Sequence, residues 1–116
     1  MSKDKTELED LFKLTHELVC IPSESFQEKE IVDFVAHKLS EAPWLDVTRI
    51  GDNIVAKTGD TKGMRLLLGG HTDTVPAQGN DQIRLSEDSI WGIGSADMKG
   101  GIAIMLSLAL NVPDSA

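Results

Sequence analysis

Met64-Arg65-Leu66-Leu67-Leu68-Gly69-Gly70-His71-Thr72-Asp73 is the stretch whose reading decides the fold. Its first five residues are apolar everywhere but Arg65, the pattern expected of a strand covered on both faces. Gly69 and Gly70 end that run and allow close backbone approach, and Pro76 stops the extended segment that follows. In extended backbone, side chains at i and i+2 point the same way. His71 and Asp73 are therefore expected to face one site at the carboxyl end of the strand, where open α/β sheets bind ligands.

Working outward, the upstream sequence changes period twice. Thr6 to Glu9 has the capping form T-x-x-E, and Leu8, Leu11, Phe12, Thr15, Leu18 and Val19 follow at helical spacing until Pro22. Ser25 to Glu28 repeats the box as S-x-x-E, and Ile31, Phe34, Val35 and Leu39 form a second stripe that stops before Pro43. Leu45–Ile50 and Asn53–Thr58 then predict two short strands joined at Gly51-Asp52, and Gly59 to Gly63 predicts a polar loop. Downstream, Ile83–Leu85 and Ile90–Trp91 predict another hairpin around Ser86 to Ser89. After a glycine-rich bend, Ile102 to Leu110 predicts a helix apolar on most faces, the kind buried between layers.

Composition narrows the partners. Net charge is -8 over 116 residues, which disfavours nucleic acid and anionic membrane surfaces but not a small anionic substrate at a local cationic site. The single cysteine, Cys20, excludes an internal disulfide; at the end of the apolar run Leu18-Val19-Cys20-Ile21 it is expected to be buried and inert. The N-terminus lacks a secretory h-region, and no apolar run nears the roughly 20 residues of a membrane span. A cytoplasmic location is the default expectation.

Two segments carry chemistry. In Gly70-His71-Thr72-Asp73-Thr74-Val75-Pro76, the imidazole is a good zinc ligand and a carboxylate two residues on can orient it. Taken alone, H-x-D equally describes a polar strand end. In Gly92-Ile93-Gly94-Ser95-Ala96-Asp97-Met98-Lys99-Gly100-Gly101, a carboxylate sits in a bend just before a buried helix, and its two oxygens can each bind one metal ion. Alone, it equally describes a glycine-rich turn with a solvated Asp. A dinucleotide loop is disfavoured because Asp97 stands where the third glycine belongs, and no phosphate-binding G-x-x-x-x-G-K-[ST] is present.

Together, HTDTVP and GIGSADMKGG, with 24 positions from Asp73 to Asp97 (97 minus 73), resemble the paired signatures of the M20 metallopeptidases. That family includes succinyl-diaminopimelate desuccinylases, acetylornithine deacetylases, aminoacylases and zinc exopeptidases. The resemblance also covers the leading helix pair with Ile21-Pro22-Ser23-Glu24-Ser25 and the helix after the second motif. It implies a three-layer α/β/α sandwich with a mixed, partly parallel sheet. It further implies that His71 binds one of two zinc ions (cobalt being a possible substitute), that Asp97 bridges both, and that Asp73 serves catalysis by orienting His71. The Asp97-Met98 peptide would be cis. One departure is Ile93, where many relatives carry Arg.

The implied reaction is hydrolysis of the amide of an N-acyl amino acid by a cytoplasmic, homodimeric enzyme. The short interval between motifs, and D-M-K-G in place of D-D-K-G, resemble the desuccinylase and deacetylase branch, and within it the desuccinylases. Relatives carry a Glu-Glu pair, whose first member is the general base, downstream of the bridging Asp. Here the 19 residues after Asp97 (116 minus 97) include no Glu or His. Residues 1–116 are therefore expected to form the N-terminal part of one catalytic domain, inactive alone, with apolar surface exposed and a tendency to aggregate. The reading from another class is a truncated, non-enzymatic binding module. His16 and His37 are expected to lie off the site, Asp52 and Asp60 in turns, Glu24, Glu28 and Glu30 in solvated or capping positions, and Lys99 on the surface.

Overall fold

A computed structural model describes residues 3–59, 63–79 and 82–111 of the chain. The expected polar loop with Asp60 falls largely outside those residues, as does the side chain of Thr6. Two helices come first, α1 over Lys3–Val19 and α2 over Lys29–Ser40. A hairpin follows, β1 (Leu45–Ile50) paired antiparallel with β2 (Asn53–Thr58), then a second, β3 (Arg84–Leu85) with β4 (Ile90–Trp91). An irregular turn over Ser95–Lys99 leads into the last helix, α3 (Gly100–Asn111). The chain is thus α/β, its helices and small sheets following the two hydrophobic periods of the sequence.

The core sits where the three helices meet. Leu18 of α1, Ile31, Val32, Val35 and Leu39 of α2, and Ile102, Ala103 and Leu106 of α3 form one buried cluster, with Val47 and Ile54 of the first hairpin against it. Removing such apolar area from water is the main favourable term of folding. The α1 stripe is buried only at its carboxyl end: Leu18 is fully buried and Leu8 is exposed. Trp44 donates its indole N–H to the carbonyl of Ala109 at 3.0 Å, tying the start of the hairpin to α3. No helix among the described residues is long and apolar enough to cross a membrane.

Several expectations are corrected. Helix α1 begins at Lys3, so Thr6 lies inside it; nothing in Lys3-Asp4-Lys5 breaks a helix. Ser25 does not cap α2, whose N-cap is Glu28. Glu28 instead accepts the Phe26 N–H at 2.9 Å, and the Ser25 hydroxyl is engaged elsewhere. Cys20 is exposed, its Sγ 3.6 Å from His16 Nε2, because the chain leaves the core at the end of α1.

The largest difference is at Met64–Leu68. It pairs with no strand among the described residues, and Met64, Leu66 and Leu67 are 98%, 83% and 87% exposed. Apolar character on both faces suits this run to a covered strand, but covering needs neighbours that these residues do not supply. The described sheets are two-stranded and antiparallel, and the parallel pairing present is an isolated bridge between Glu24 and Thr74. Likewise α3 buries Ile102, Ala103 and Leu106 but leaves Ile104 and Leu108 half exposed.

Candidate metal centre

The site is built where the segment after Leu68 meets the turn before α3. Gly70 allows this approach. A Cβ at position 70 would lie 2.7 Å from Cε of Met98 and 3.2 Å from Cδ1 of Ile102. With no side chain there, the His71 N–H reaches the Met98 thioether at 3.4 Å. The opposite wall depends on Gly94, whose φ of +82° suits glycine. A Cβ there would meet Thr74 Cγ2 at 2.5 Å. After it, Asp97 and Met98 leave helical geometry (φ -126° and -134°), and the peptide joining them is cis.

This backbone brings together the three residues singled out from the sequence. His71 Nε2 lies 3.0 Å from Oδ1 of Asp97. On the other edge of the ring, Nδ1 lies 3.0 Å from the main-chain oxygen of Asp73 and 3.2 Å from its Oδ1. The imidazole is held between two carboxylates, with Asp97 itself 85% exposed. The Asp73 carbonyl, and then the Asp97 carboxylate, raise the His71 pKa above its ordinary value of 6.5. The Ser25 hydroxyl, with smaller help from the imidazole, lowers that of Asp73. Among the described residues, no group of three or more His, Cys, Asp or Glu side chains is arranged to hold a metal ion.

Four residues, Ser23, Glu24, Ser25 and Lys99, take supporting roles that the sequence reading does not give them. Ser23, Glu24 and Ser25 clamp the chain that carries His71. Thr74 N donates to Ser23 O at 2.8 Å and Ser25 N to Thr74 O at 3.3 Å. The Ser23 hydroxyl donates to Thr72 O at 2.6 Å, and Glu24 Oε1 accepts from Ala77 N at 2.9 Å. The Ser25 hydroxyl donates to Oδ2 of Asp73. Lys99, expected on the surface, is buried, and its ammonium donates to Ile21 O at 2.7 Å. Burial lowers its pKa. The one local hint is Pro22, which keeps the chain from returning to helix after α1 and leaves the main chain at Ser23 and Glu24 free to pair. His16 and His37 lie on α1 and α2 away from this site.

The profile of the M20/M25/M40 peptidase family matches residues 67–116, the part that holds His71, Asp73 and Asp97. A Mycobacterium tuberculosis protein provisionally named succinyl-diaminopimelate desuccinylase is 41% identical over 106 residues, 90% of this chain and 30% of that protein. This chain belongs to the M20 family. Another relative in the family, the succinyl-diaminopimelate desuccinylase of Corynebacterium glutamicum, is 40% identical over 101 residues, 85% of this chain and 27% of its own length. The acetylornithine deacetylase of Aliivibrio salmonicida is 47% identical over 66 residues, 52% of this chain and 17% of its own. The chain thus spans about 30% of the length of the first of these relatives.

Proposed function

We propose that His71 and Asp97 are ligands of a two-zinc centre, with cobalt a possible substitute, in an amidohydrolase acting on an N-acyl amino acid. Asp73 is the residue that orients His71. The observation carrying this reading is the 3.0 Å approach of His71 Nε2 to Asp97 Oδ1, since one imidazole and one carboxylate turned to a common point are the donor types zinc takes. The donor set fits such an ion but does not complete it. Zinc takes about four ligands, and the remaining ligands and the general-base glutamate are assigned to sequence beyond residues 1–116. The coverage of 30% of a relative's length supports that assignment.

When bound, divalent ions in such a site supply Lewis acidity toward the amide carbonyl and make water more acidic. The chain's own residues prepare for that. Two Asp73 oxygens hold a proton on His71 Nδ1, which directs the Nε2 lone pair outward. Nε2 faces Asp97 Oδ1 at 3.0 Å, so a cation held here would take the ring nitrogen and that carboxylate together. The exposure of Asp97 leaves its second oxygen open to a second ion.

The substrate proposed is N-succinyl-LL-2,6-diaminopimelate, cleaved with water to LL-2,6-diaminopimelate and succinate. Two relatives at 41% and 40% identity carry that activity in their names. Acetylornithine is the second reading, supported by the 47% identity to a deacetylase over a shorter stretch. The proposed whole enzyme is a cytoplasmic homodimer. Its catalytic domain is a three-layer α/β/α sandwich in which Met64–Leu68 is a central strand, and residues 1–116 alone are inactive. The test is to express the full-length protein and assay it with zinc or cobalt against succinyl-diaminopimelate and acetylornithine side by side. Turnover of neither, in a protein that binds no metal, would refute the proposal.

A further inference from the structure

Asp73 has two carboxylate oxygens and two partners. Oδ1 faces His71 Nδ1 at 3.2 Å, and Oδ2 accepts from the Ser25 hydroxyl. We infer that Ser25 is a positioning residue for the candidate metal centre, its hydroxyl holding the far oxygen of Asp73 so that the near oxygen stays on the His71 ring. The inference rests on the proposed role of His71 as a ligand and adds the group that stands behind its orienting carboxylate.

The need for such a group follows from exposure. The Asp73 and His71 side chains are 39% and 47% exposed, so water competes for each of their hydrogen bonds, and a carboxylate turns readily about its terminal bond. Ser25 can resist that turning because its own backbone is fixed. It is paired with Thr74 through Ser25 N, and Thr74 is paired with Ser23. Both Thr74 and Ser23 are buried, at 7% and 1% exposure. The hydroxyl is therefore anchored to the same stretch of chain that carries Asp73.

Helix capping does not account for Ser25. Helix α2 begins at Lys29 behind Glu28, and the Ser25 hydroxyl goes to a carboxylate 48 residues away. Nor is Ser25 required to join the two segments, since that junction uses main-chain atoms, the Ser23 hydroxyl and Glu24 Oε1. Its removal should therefore spare the fold and loosen Asp73. The ring keeps one acceptor, the Asp73 main-chain oxygen at 3.0 Å, so the loss is graded. Removing a group that orients a ligand costs about 10–100-fold in metal affinity, and a group one step further back should cost about 3–10-fold.

The test uses the full-length protein as wild type, Ser25→Ala, Ser25→Thr and, as a clamp control, Ser23→Ala. Zinc affinity is read by competition with a chromophoric chelator, and the His71 ring nitrogens are read by 15N NMR without metal. Ser25→Ala is expected to weaken zinc about 3–10-fold and to move the two ring-nitrogen signals toward a tautomer mixture, with an unchanged melting temperature. Ser25→Thr, which keeps the hydroxyl at an exposed position, is expected to restore both. Wild-type affinity and ring signals in Ser25→Ala would overturn the inference, as would equal loss in Ser25→Ala and Ser25→Thr. If the wild type binds no zinc, the metal reading fails. The ring signals then decide the positioning role alone: shifted in Ser25→Ala and restored in Ser25→Thr supports it, unshifted overturns it.

Discussion

The ammonium of Lys99 lies 2.7 Å from the carbonyl oxygen of Ile21. It joins the turn that carries Asp97 to the end of α1, across 78 positions of sequence. Lys99→Met keeps the length of the side chain and removes the donor, leaving a half-buried carbonyl without it. A loss of about 1–3 kcal/mol is expected by urea denaturation. Because burial depresses the Lys99 pKa below 10.5, the unfolded chain holds the extra proton in the alkaline window between the two values. Stability from this group is expected to rise with pH across that window, a rise that Lys99→Met abolishes.

Gly94 tests whether the bend must press against Thr74. In Gly94→Ala a methyl group would sit 2.5 Å from Thr74 Cγ2, on a residue with φ of +82°. Overpacking and a left-handed backbone together are expected to cost about 2–4 kcal/mol. Thermal melts measure that cost, and zinc affinity should fall with it. Gly79→Ala, at a φ of +83° with nothing within 4 Å of its Cβ, is the matched control that isolates the contact with Thr74.

Asp33 links α2 to the first hairpin, accepting from Lys29 at 2.8 Å and from the Arg49 guanidinium. The Lys29 hydrogen bond, then that of Arg49, lower its pKa below 3.8. A lowered carboxylate pKa means the contribution is present above pH 3.8 and is lost as pH falls through the folded value. Asp33→Asn is expected to make the acid limb of stability between pH 5 and 2 shallower, since the variant lacks this group's share of that dependence. High salt should shrink the difference, because the pair is solvent-exposed.

The candidate ligands make a graded series in the full-length protein. His71→Ala and Asp97→Asn each remove a donor and are expected to weaken zinc by more than about 100-fold, whereas Asp73→Asn removes only orientation and should cost about 10–100-fold. Equilibrium dialysis with zinc quantitation measures all three. Chelation should abolish amidase activity and added zinc or cobalt should restore it. Equal, small effects from the three variants would argue against the assigned roles.

Much of the local structure was legible because it follows hydrophobic period and turn chemistry. The stripe Ile31, Val35 and Leu39 lies buried in α2, and the hairpin closes at Ile50↔Asn53 around Gly51 at φ +61°. What failed needed knowledge of distant residues. Ser25 satisfies a capping pattern, yet its hydroxyl goes to Asp73, a bond between positions 48 apart that no local window contains. Lys99 carries a full charge, and charge argues for the surface unless a carbonyl such as that of Ile21 waits inside. The apolar pattern of Met64–Leu68 tells what cover it can take, while its exposure depends on which neighbours are there to provide it. The closeness of His71 to Asp97 was suggested by motif pairing, and its 3.0 Å value comes from the Gly70 and Gly94 approaches.

The parallel bridge of Glu24 to Thr74 also sets an order of events. It closes a loop of about 50 residues, and the entropy lost in closing a loop of that length must be met before the contact returns anything. His71 and Asp73 are near neighbours in the chain and can meet early, whereas Ser25 joins them only after that long closure. The share of the proposed cation affinity that Ser25 contributes is therefore expected to appear late in refolding, and the rate of its appearance would time the docking of the first quarter of the chain onto its middle.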